Sequence, residues 1–273
     1  MGFPKSLIFL VFLLLPFSIF LFNSEEEIFV LNPQNVCYEV WGGFNGDAVG
    51  NSTFKDGKFQ MWINDTSGSW GLAKLSRGLM PHYWGLRYAP LKREIEIQRF
   101  GVPLSFDVIL KISLRLNAYQ NYTVSNSSTN VAIVFFFDGY KTDYQEKCYQ
   151  TEIQFFSYYG EGIIKGKEYY FTWRNDSVAQ FKLEDNLKVG EFKEYEINLL
   201  PYINKMMIYY KLDKVKLKHI EIFTEAFKGY CSFEVYSCQI VLRKNFTSPN
   251  FLTVFIIFYL FSFVLYRYVF KRL

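Results

Sequence analysis

The sequence has little histidine, since His82 and His219 are the only two in 273 residues. A Ser-His-Asp or Cys-His mechanism would need one of them, and neither stands near a G-x-S-x-G motif. The chain also has no C-x-x-C pair to bind zinc and no glycine-rich loop to cradle a phosphate. We therefore expect no metal and no cofactor, and the chemistry left open is that of carboxylates.

Long runs of one charge are missing as well. The chain has 30 basic and 26 acidic residues and a net charge of +4, with the two signs interspersed along the sequence. A nucleic-acid-binding surface usually needs a clustered basic patch. The composition therefore gives no indication of a nucleic-acid partner, and it leaves the oligomeric state open.

Both ends of the chain are apolar. Residues 1–23 combine one lysine with a long apolar stretch, and acidic residues follow, which is the pattern of a signal peptide or an N-terminal anchor. Residues 250–270 form a second apolar stretch with basic residues at its end, which predicts a C-terminal transmembrane segment that ends inside the cell. Residues 28–245 would then form one extracellular domain, held at the cell surface by the membrane.

Two further features fit an extracellular domain, namely an even number of cysteines and many glycosylation sequons. Cys231 and Cys238 stand on one predicted strand, roughly 23 Å apart when extended, which is too far for a disulfide. Each is therefore expected to pair with Cys37 or Cys148, and the spacing does not decide which. The N-x-S/T sequons, expected to carry glycans on surface loops, occur at Asn51, Asn64, Asn121, Asn126, Asn175 and Asn245.

The hydrophobic pattern predicts an all-β fold. Within residues 103–122, the even-numbered positions from Leu104 to Leu116 are all apolar and those between them are polar except Ile109, which is typical of a half-buried strand. Residues 131–137 are apolar throughout, as expected for a strand buried on both faces. Residues 201–210 are the one convincing helix, with Pro201 in its first turn. Many strands, one helix and no βαβ alternation predict a two-sheet antiparallel sandwich.

Two glutamates stand out on predicted strands. Glu152 heads the alternating segment of residues 151–160, and Glu225 stands among aromatic residues in 222–227. A carboxylate on such a strand costs free energy unless it faces a wet groove or has a partner. Periodicity alone does not choose the pair, because comparable spacing is found at Glu94, Glu96, Glu221 and Glu234.

Three segments resemble glycoside hydrolase family 12, the compact endoglucanases with a concanavalin-like β-jelly roll. Residues 152–159 read Glu-Ile-Gln-Phe-Phe-Ser-Tyr-Tyr, similar to the family pattern E-I-M-I/V-W-x-Y-Y. Residues 130–137 are similar to N-x-A-I-E-x-W-L, and Phe223-Thr224-Glu225 is similar to the late G-T/F-E motif. Residues 82–90 loosely resemble an aromatic stretch of the family. All these segments occur in the same order as in the family, over residues 36–242.

The resemblance implies a membrane-tethered enzyme that cleaves a β-1,4-glucan, with Glu152 as nucleophile and Glu225 as general acid/base. The family retains anomeric configuration, and Phe223 and Phe227 could raise the pKa of Glu225 by desolvating it. The polysaccharide substrate would rest on aromatic side chains and nearby polar groups. The candidates for these are Trp41, Trp62, Trp84, Gln154 and Asp138.

The sequence also differs from the family pattern at several positions. Val134 stands where the family usually has a helper acid beside the nucleophile, so the resemblance implies a less well oriented Glu152, with Asp138 as a candidate substitute. Gln154 and Phe156 replace a methionine and a tryptophan, and Phe223 replaces a glycine. The alternative is therefore a non-catalytic carbohydrate-binding or structural cell-surface glycoprotein on the same fold.

Overall fold

The computed structural model describes residues 26–78, 95–98, 106–123, 126–141, 144–160, 162–173, 176–244 and 259. The predicted N-terminal segment and Trp84 lie outside these ranges, as does the predicted transmembrane segment apart from Tyr259. Within the ranges, no helix is both long enough and apolar enough to cross a bilayer.

The described chain is built almost entirely of strands. In chain order, they are β1 (Glu26–Val30), β2 (Cys37–Trp41), β3 (Val49–Lys55), β4 (Lys58–Asp65), β5 (Gly71–Gly78), β6 (Ile95–Gln98), β7 (Phe106–Asn121), β8 (Ser128–Lys141), β9 (Tyr144–Tyr159), β10 (Gly162–Ile163), β11 (Glu168–Trp173), β12 (Asp176–Lys182), β13 (Phe192–Asn198), β14 (Lys214–Phe227) and β15 (Gly229–Lys244). The helix α1 (Leu200–Tyr210) lies between β13 and β14.

The strands form two sheets. The back sheet has the order β13-β7-β15-β4-β3, with β1 added along β15. The front sheet has the order β11-β12-β9-β8-β14-β5-β2, with β10 on β9 and β6 on β14. The predicted all-β sandwich of two sheets is confirmed.

The main core lies between the two sheets, and alternation along the strands builds it. On β7, the predicted core positions are buried, namely Val108, Leu110, Ile112, Leu114 and Leu116. They share one hydrophobic cluster with residues of β8, β9 and β15. In β8 the burial extends to both faces, since Val131 to Phe137 are all buried. The strand predicted as buried on both sides is thus the middle of the front sheet.

The helix α1 covers one end of the core. It begins with Leu200 and Pro201, and it ends at Lys211, which adopts the left-handed conformation (φ 57°) that closes many helices. Its buried side chains are Leu200, Ile203, Met206 and Met207. The helix predicted at residues 201–210 is confirmed.

One strand pairing departs from the predicted antiparallel pattern. Strand β12 runs parallel to β9, with Gln180 opposite Glu152 and Lys182 opposite Gln154. The chain reverses direction after β9 into β10 and again in the β11–β12 hairpin, so β12 returns in the direction of β9. Sequence alternation cannot reveal this, because it reports faces and not strand directions.

The predicted disulfides are not found, since no disulfide links the four cysteines, all of which lie in described segments. Cys231 and Cys238 are buried in the main core on β15 of the back sheet. Cys148 instead packs against the small cluster on the opposite side of the front sheet. Cys37 belongs to that side too, because it is opposite Ser76, which is itself opposite Glu221. The front sheet therefore separates the two pairs.

The sequons are distributed differently from the predicted surface loops. Of those in the described ranges, Asn126 lies in an exposed loop, whereas Asn51, Asn64 and Asn121 lie within β3, β4 and β7. Asn175 and Asn245 fall outside the described residues. Glycan attachment stays a prediction, and Asn51 and Asn126 are the exposed acceptors among the described ones.

Candidate active site

The candidate site lies on the outer face of the front sheet, meaning the side turned away from the main core. At its centre Ala132, Val134, Phe136 and Phe223 form a separate small hydrophobic cluster. Register places Glu225 opposite Asn130 on β8, and Glu152 opposite Val134 on the same strand. The two glutamates singled out in the sequence thus project from one face, on the strands that flank β8.

Glu152 is nearly enclosed, with 7% of its surface exposed. Its Oε1 accepts hydrogen bonds from Gln154 Nε2 (2.6 Å) and from Gln180 Nε2 (3.2 Å). Burial raises the pKa of Glu152, while the two amide donors and the nearby Lys182 ammonium act in the opposite direction. The carboxylate is therefore held in one orientation by neighbours that favour its ionised form.

Glu225 is the more accessible of the two carboxylates. Trp70 Nε1 donates a hydrogen bond to its Oε1, and Asn130 Nδ2 donates one to its Oε2 at 2.5 Å. Burial and the charge of Glu152 raise the pKa of Glu225 to about 7. A carboxyl group with such a pKa is part protonated at neutral pH, which is what a general acid requires.

The two carboxylates are offset diagonally. They stand two strands apart, and their partners on β8, Asn130 and Val134, are four residues apart. On a flat sheet this offset would separate the two Cα atoms by roughly 16 Å. Gln154, which donates a hydrogen bond to Glu152, is opposite Ala132 and therefore stands between the two glutamates along the strand direction.

The Lys182 ammonium acts on both carboxylates. Lys182 Nζ donates hydrogen bonds to Gln154 Oε1 (2.8 Å) and to Ser157 Oγ (2.6 Å). Burial lowers the pKa of Lys182, and the charges of Glu152 and Glu225 oppose that shift. Glu152, Gln154, Lys182 and Ser157 thus form one connected polar chain along the outer face.

The loop between β4 and β5 presents Trp70 to Glu225. Its anchor is the fully buried Asp65, whose Oδ2 accepts hydrogen bonds from the backbone N–H of Trp70 (3.0 Å) and of Lys228 (3.1 Å). Oδ1 accepts others from the backbone of residues 67–69. Trp70 itself has φ +67°, a conformation that costs free energy in a non-glycine residue unless its surroundings hold it.

Replacing Asp65 with alanine is expected to lower the free energy of unfolding by roughly 3–5 kcal/mol, because several buried backbone donors lose their acceptor. Urea denaturation would measure the loss. Asp47→Ala, at an exposed position, is the matched control and should change stability little. An Asp65→Ala protein as stable as the control would show that the loop holds its conformation without the carboxylate.

A third carboxylate on the outer face is already neutralised. Glu221 Oε1 lies 2.8 Å from Lys74 Nζ and 3.5 Å from His219 Nε2, and Glu39 lies 3.2 Å from the same lysine. Burial would raise the pKa of Glu221, but the ion pair with Lys74 dominates and holds it at about 2. Glu221 is therefore ionised and engaged in an ion pair with Lys74, and in this it differs from Glu152 and Glu225.

Among the other glutamates with similar spacing, Glu234 stands away from this face. Glu234 belongs to the back sheet, where it pairs with Lys58 at 2.7 Å. Glu96 is part of β6, whereas Glu94 is outside the described residues. No group of three or more histidine, cysteine or acidic side chains in the described ranges could hold a metal ion.

The structure brings only some of the predicted substrate-binding residues to this face. Trp41, on the edge strand β2, is opposite Leu72, which is opposite Glu225, so the three share a row. Gln154 is also present, but both ends of its amide are engaged, by Glu152 and Lys182. Trp84 cannot be placed, since it lies outside the described residues.

Trp62 and Asp138 do not join the site. Phe59, Met61 and Ile63 face the core, so the alternation of β4 turns Trp62 outward from the back sheet, near Tyr230. Asp138 is opposite Cys148, four residues beyond Val134, and it forms an ion pair with Lys218. It is therefore not placed to substitute for the acid that Val134 replaces.

Sequence reasoning missed Trp70, Asn130, Gln180 and Lys182 as site residues. The sequence does indicate the loop, since an aspartate followed by Thr-Ser-Gly-Ser is typical of turns in which the side chain bonds the backbone. Asn130 begins the family-like segment of residues 130–137, but its pairing with Glu225 is visible only in the sheet register. For Gln180 and Lys182 there was no signal, because their position depends on the parallel β9–β12 pairing.

Comparison with known proteins shows the fold. The chain is similar to a family 12 xyloglucanase from Bacillus licheniformis, with 12% identity and a TM-score of 0.51 over 81% of this chain and 100% of that one. A family 11 xylanase from Neocallimastix patriciarum (11% identity, TM-score 0.46, 79% and 99% covered) and an endoglucanase from Rhodothermus marinus (10%, 0.41, 80% and 100%) also match. The resemblance expected from the sequence is thus confirmed for the fold. No protein-family model and no curated protein matches the sequence.

Proposed function

We propose that the protein is a glycoside hydrolase that cleaves a β-1,4-linked glucan with retention of configuration. Glu225 is the general acid/base and Glu152 the nucleophile. The observation that carries the proposal is the placement of these carboxylates on one outer face, with the pKa of Glu225 raised to about 7 by burial and by Glu152. Glycoside cleavage requires one carboxyl group that gives a proton and a second carboxylate on the same face of the site.

The chemistry runs in two steps. Glu225 gives its proton to the leaving glycosidic oxygen while the Glu152 carboxylate attacks the anomeric carbon and forms a glycosyl ester. Glu225, now ionised, then takes a proton from water, which attacks the same carbon and releases Glu152. Trp70 and Asn130 hold the Glu225 carboxyl in place during both transfers.

Exposed aromatic side chains at both ends of the outer face support a long substrate. Trp41 packs edge-on against Phe44, which is 58% exposed, at the β2 edge. Tyr169 and Phe171, each 40% exposed, stand on β11 at the opposite edge. Exposed aromatic groups of this kind commonly mark ligand-binding grooves. A sugar chain lying across the strands would contact both edges and pass the two carboxylates between them.

We further propose that the domain works outside the cell, tethered by residues 250–270. The apolar ends of the sequence support this location. The fold likeness to a xyloglucanase supports a polysaccharide as the substrate. Protease protection of the C-terminal residues in sealed membrane vesicles would test the anchor, and a chain recovered free of membrane would contradict it.

The direct test is incubation of the protein with a soluble β-1,4-glucan. We expect reducing ends to appear, and proton NMR at early times should show the β-anomer as the first product. An α-anomer would indicate inversion, which uses carboxylates ~6.5–9.5 Å apart, against ~5–5.5 Å for retention. Binding of the glucan without any release of reducing ends would contradict the enzymatic proposal.

That last outcome would favour a second function, namely carbohydrate binding without turnover. Two observations favour it. Val134, an apolar residue 2% exposed, lies beside Glu152 where an orienting acid would be expected, and Glu152 itself is only 7% exposed. A lectin could keep the aromatic edges and the fold while the carboxylates serve only as hydrogen-bond acceptors.

A further inference from the structure

Among the residues that the structure describes, Glu152 receives its polar contacts from one side only. On β8 the residue opposite it is Val134, which offers neither a charge nor a hydrogen-bond donor. On the other side, β12 runs parallel to β9, so its alternate residues face outward next to Glu152 and Gln154. Those residues are Gln180 and Lys182.

Both β12 residues act on the Glu152 carboxylate, one directly and one through a neighbour. Gln180 Nε2 donates to Glu152 Oε1 at 3.2 Å. Lys182 Nζ donates to Gln154 Oε1 at 2.8 Å, which directs the opposite end of that amide, Nε2, to Glu152 Oε1 at 2.6 Å. Ser157 Oγ, at 2.6 Å from Lys182 Nζ, fixes the ammonium group.

We propose that Gln180 and Lys182 are positioning residues that orient Glu152 and stabilise its negative charge, the task for which β8 supplies only Val134. The inference rests on the proposed function for its catalytic meaning. The effect of these two β12 side chains on the Glu152 carboxylate does not depend on whether the protein hydrolyses a substrate.

The charges around Glu152 explain why β12 is decisive. Strand β8 contributes no charged group opposite it, and β14, two strands away, contributes the carboxylates of Glu221 and Glu225. Glu221 is neutralised by Lys74. The cation that acts on Glu152 is Lys182, and the same cation also acts on Glu225. Gln180, by contrast, donates its hydrogen bond to Glu152 and not to Glu225.

The test is carboxyl-carbon NMR titration of protein labelled with ¹³C at the glutamate side-chain carboxyl. Loss of a signal in Glu152→Gln or Glu225→Gln assigns each resonance. We expect Lys182→Met to raise the pKa of Glu152 by about one unit or more, and that of Glu225 as well. Gln180→Ala should raise only the pKa of Glu152. Lys58→Met, which removes a partly buried lysine from the back sheet, is the matched control.

The two variants also predict different pH–rate profiles in a protein that hydrolyses glucan. Lys182→Met should move both limbs of the profile to higher pH, whereas Gln180→Ala should move the acidic limb alone. An unchanged pKa of Glu152 in both variants would overturn the proposal. If the Lys182→Met protein does not fold, the pKa of Glu152 in the Gln180→Ala protein decides whether the proposal stands. A protein without hydrolase activity would sink the proposed function, yet the titration would still accept or reject the role of β12.

Discussion

Replacing Glu152 with glutamine is expected to lower the rate at which reducing sugar is released from a soluble β-1,4-glucan by roughly four orders of magnitude or more. The amide keeps the shape of the side chain and can still accept the hydrogen bonds of Gln154 and Gln180. It cannot form a glycosyl ester, so only the nucleophilic step is removed. Single-turnover and steady-state assays on the same substrate would measure the loss.

Glu234→Gln is the matched control for this substitution. Glu234 lies on the back sheet in an ion pair with Lys58, away from the outer face of the front sheet, and its replacement should leave the rate unchanged. Equal activity in Glu152→Gln and in the unaltered protein would remove Glu152 from the mechanism. The pair would then have to be sought among other carboxylates.

Replacing Glu225 with glutamine is expected to slow hydrolysis of the glucan by roughly 10²–10⁴-fold, the usual contribution of a positioned general acid. In the unaltered protein, the rate should fall above about pH 7 as Glu225 ionises. In Glu225→Gln that alkaline limb should disappear. An aryl glycoside whose leaving group needs no proton should lose much less activity, and azide should restore part of the rate to Glu225→Ala.

The same residue predicts an effect on stability that does not depend on turnover. The folded protein raises the pKa of Glu225 from 4.5 to about 7, so folding disfavours its charged form. The contribution of Glu225 to the free energy of unfolding is fully present below about pH 4.5. It is lost as the pH rises towards 7, and the loss is at most roughly 3 kcal/mol. Glu225→Gln should therefore be more stable than the unaltered protein at pH 8, and equally stable at pH 4. Urea denaturation at the two pH values would measure this, and identical curves at pH 8 would contradict the raised pKa.

Local pattern was enough to predict the elements of this fold. The alternation in β7 and the unbroken apolar run in β8 report which side chains meet the core, and both were confirmed. The parallel return of β12 beside β9 could not be predicted, because strand direction is decided by packing between distant segments. The cysteines illustrate the same limit. All four lie on strands, but the face that each one occupies separates Cys148 from Cys231 and Cys238.

The candidate site was predictable in part for the same reason. Glu152 and Glu225 were found through motifs, and the structure places both on one face. Trp62 was misplaced because a period of two identifies the face of a strand but not the sheet to which the strand belongs. The partners Trp70, Gln180 and Lys182 depend on contacts between segments far apart in the chain, and no local pattern encodes those.

The central position of β15 in the back sheet has a kinetic consequence. This last strand of the described chain pairs with β1, with β4 and, along its whole length, with β7. Those partners precede it by more than a hundred residues, and folds dominated by such distant contacts form slowly, on a timescale of milliseconds to seconds. During synthesis, the strand edges that pair with β15 stay unpaired until β15 has been made. In that interval, aggregation or binding to chaperones competes with folding.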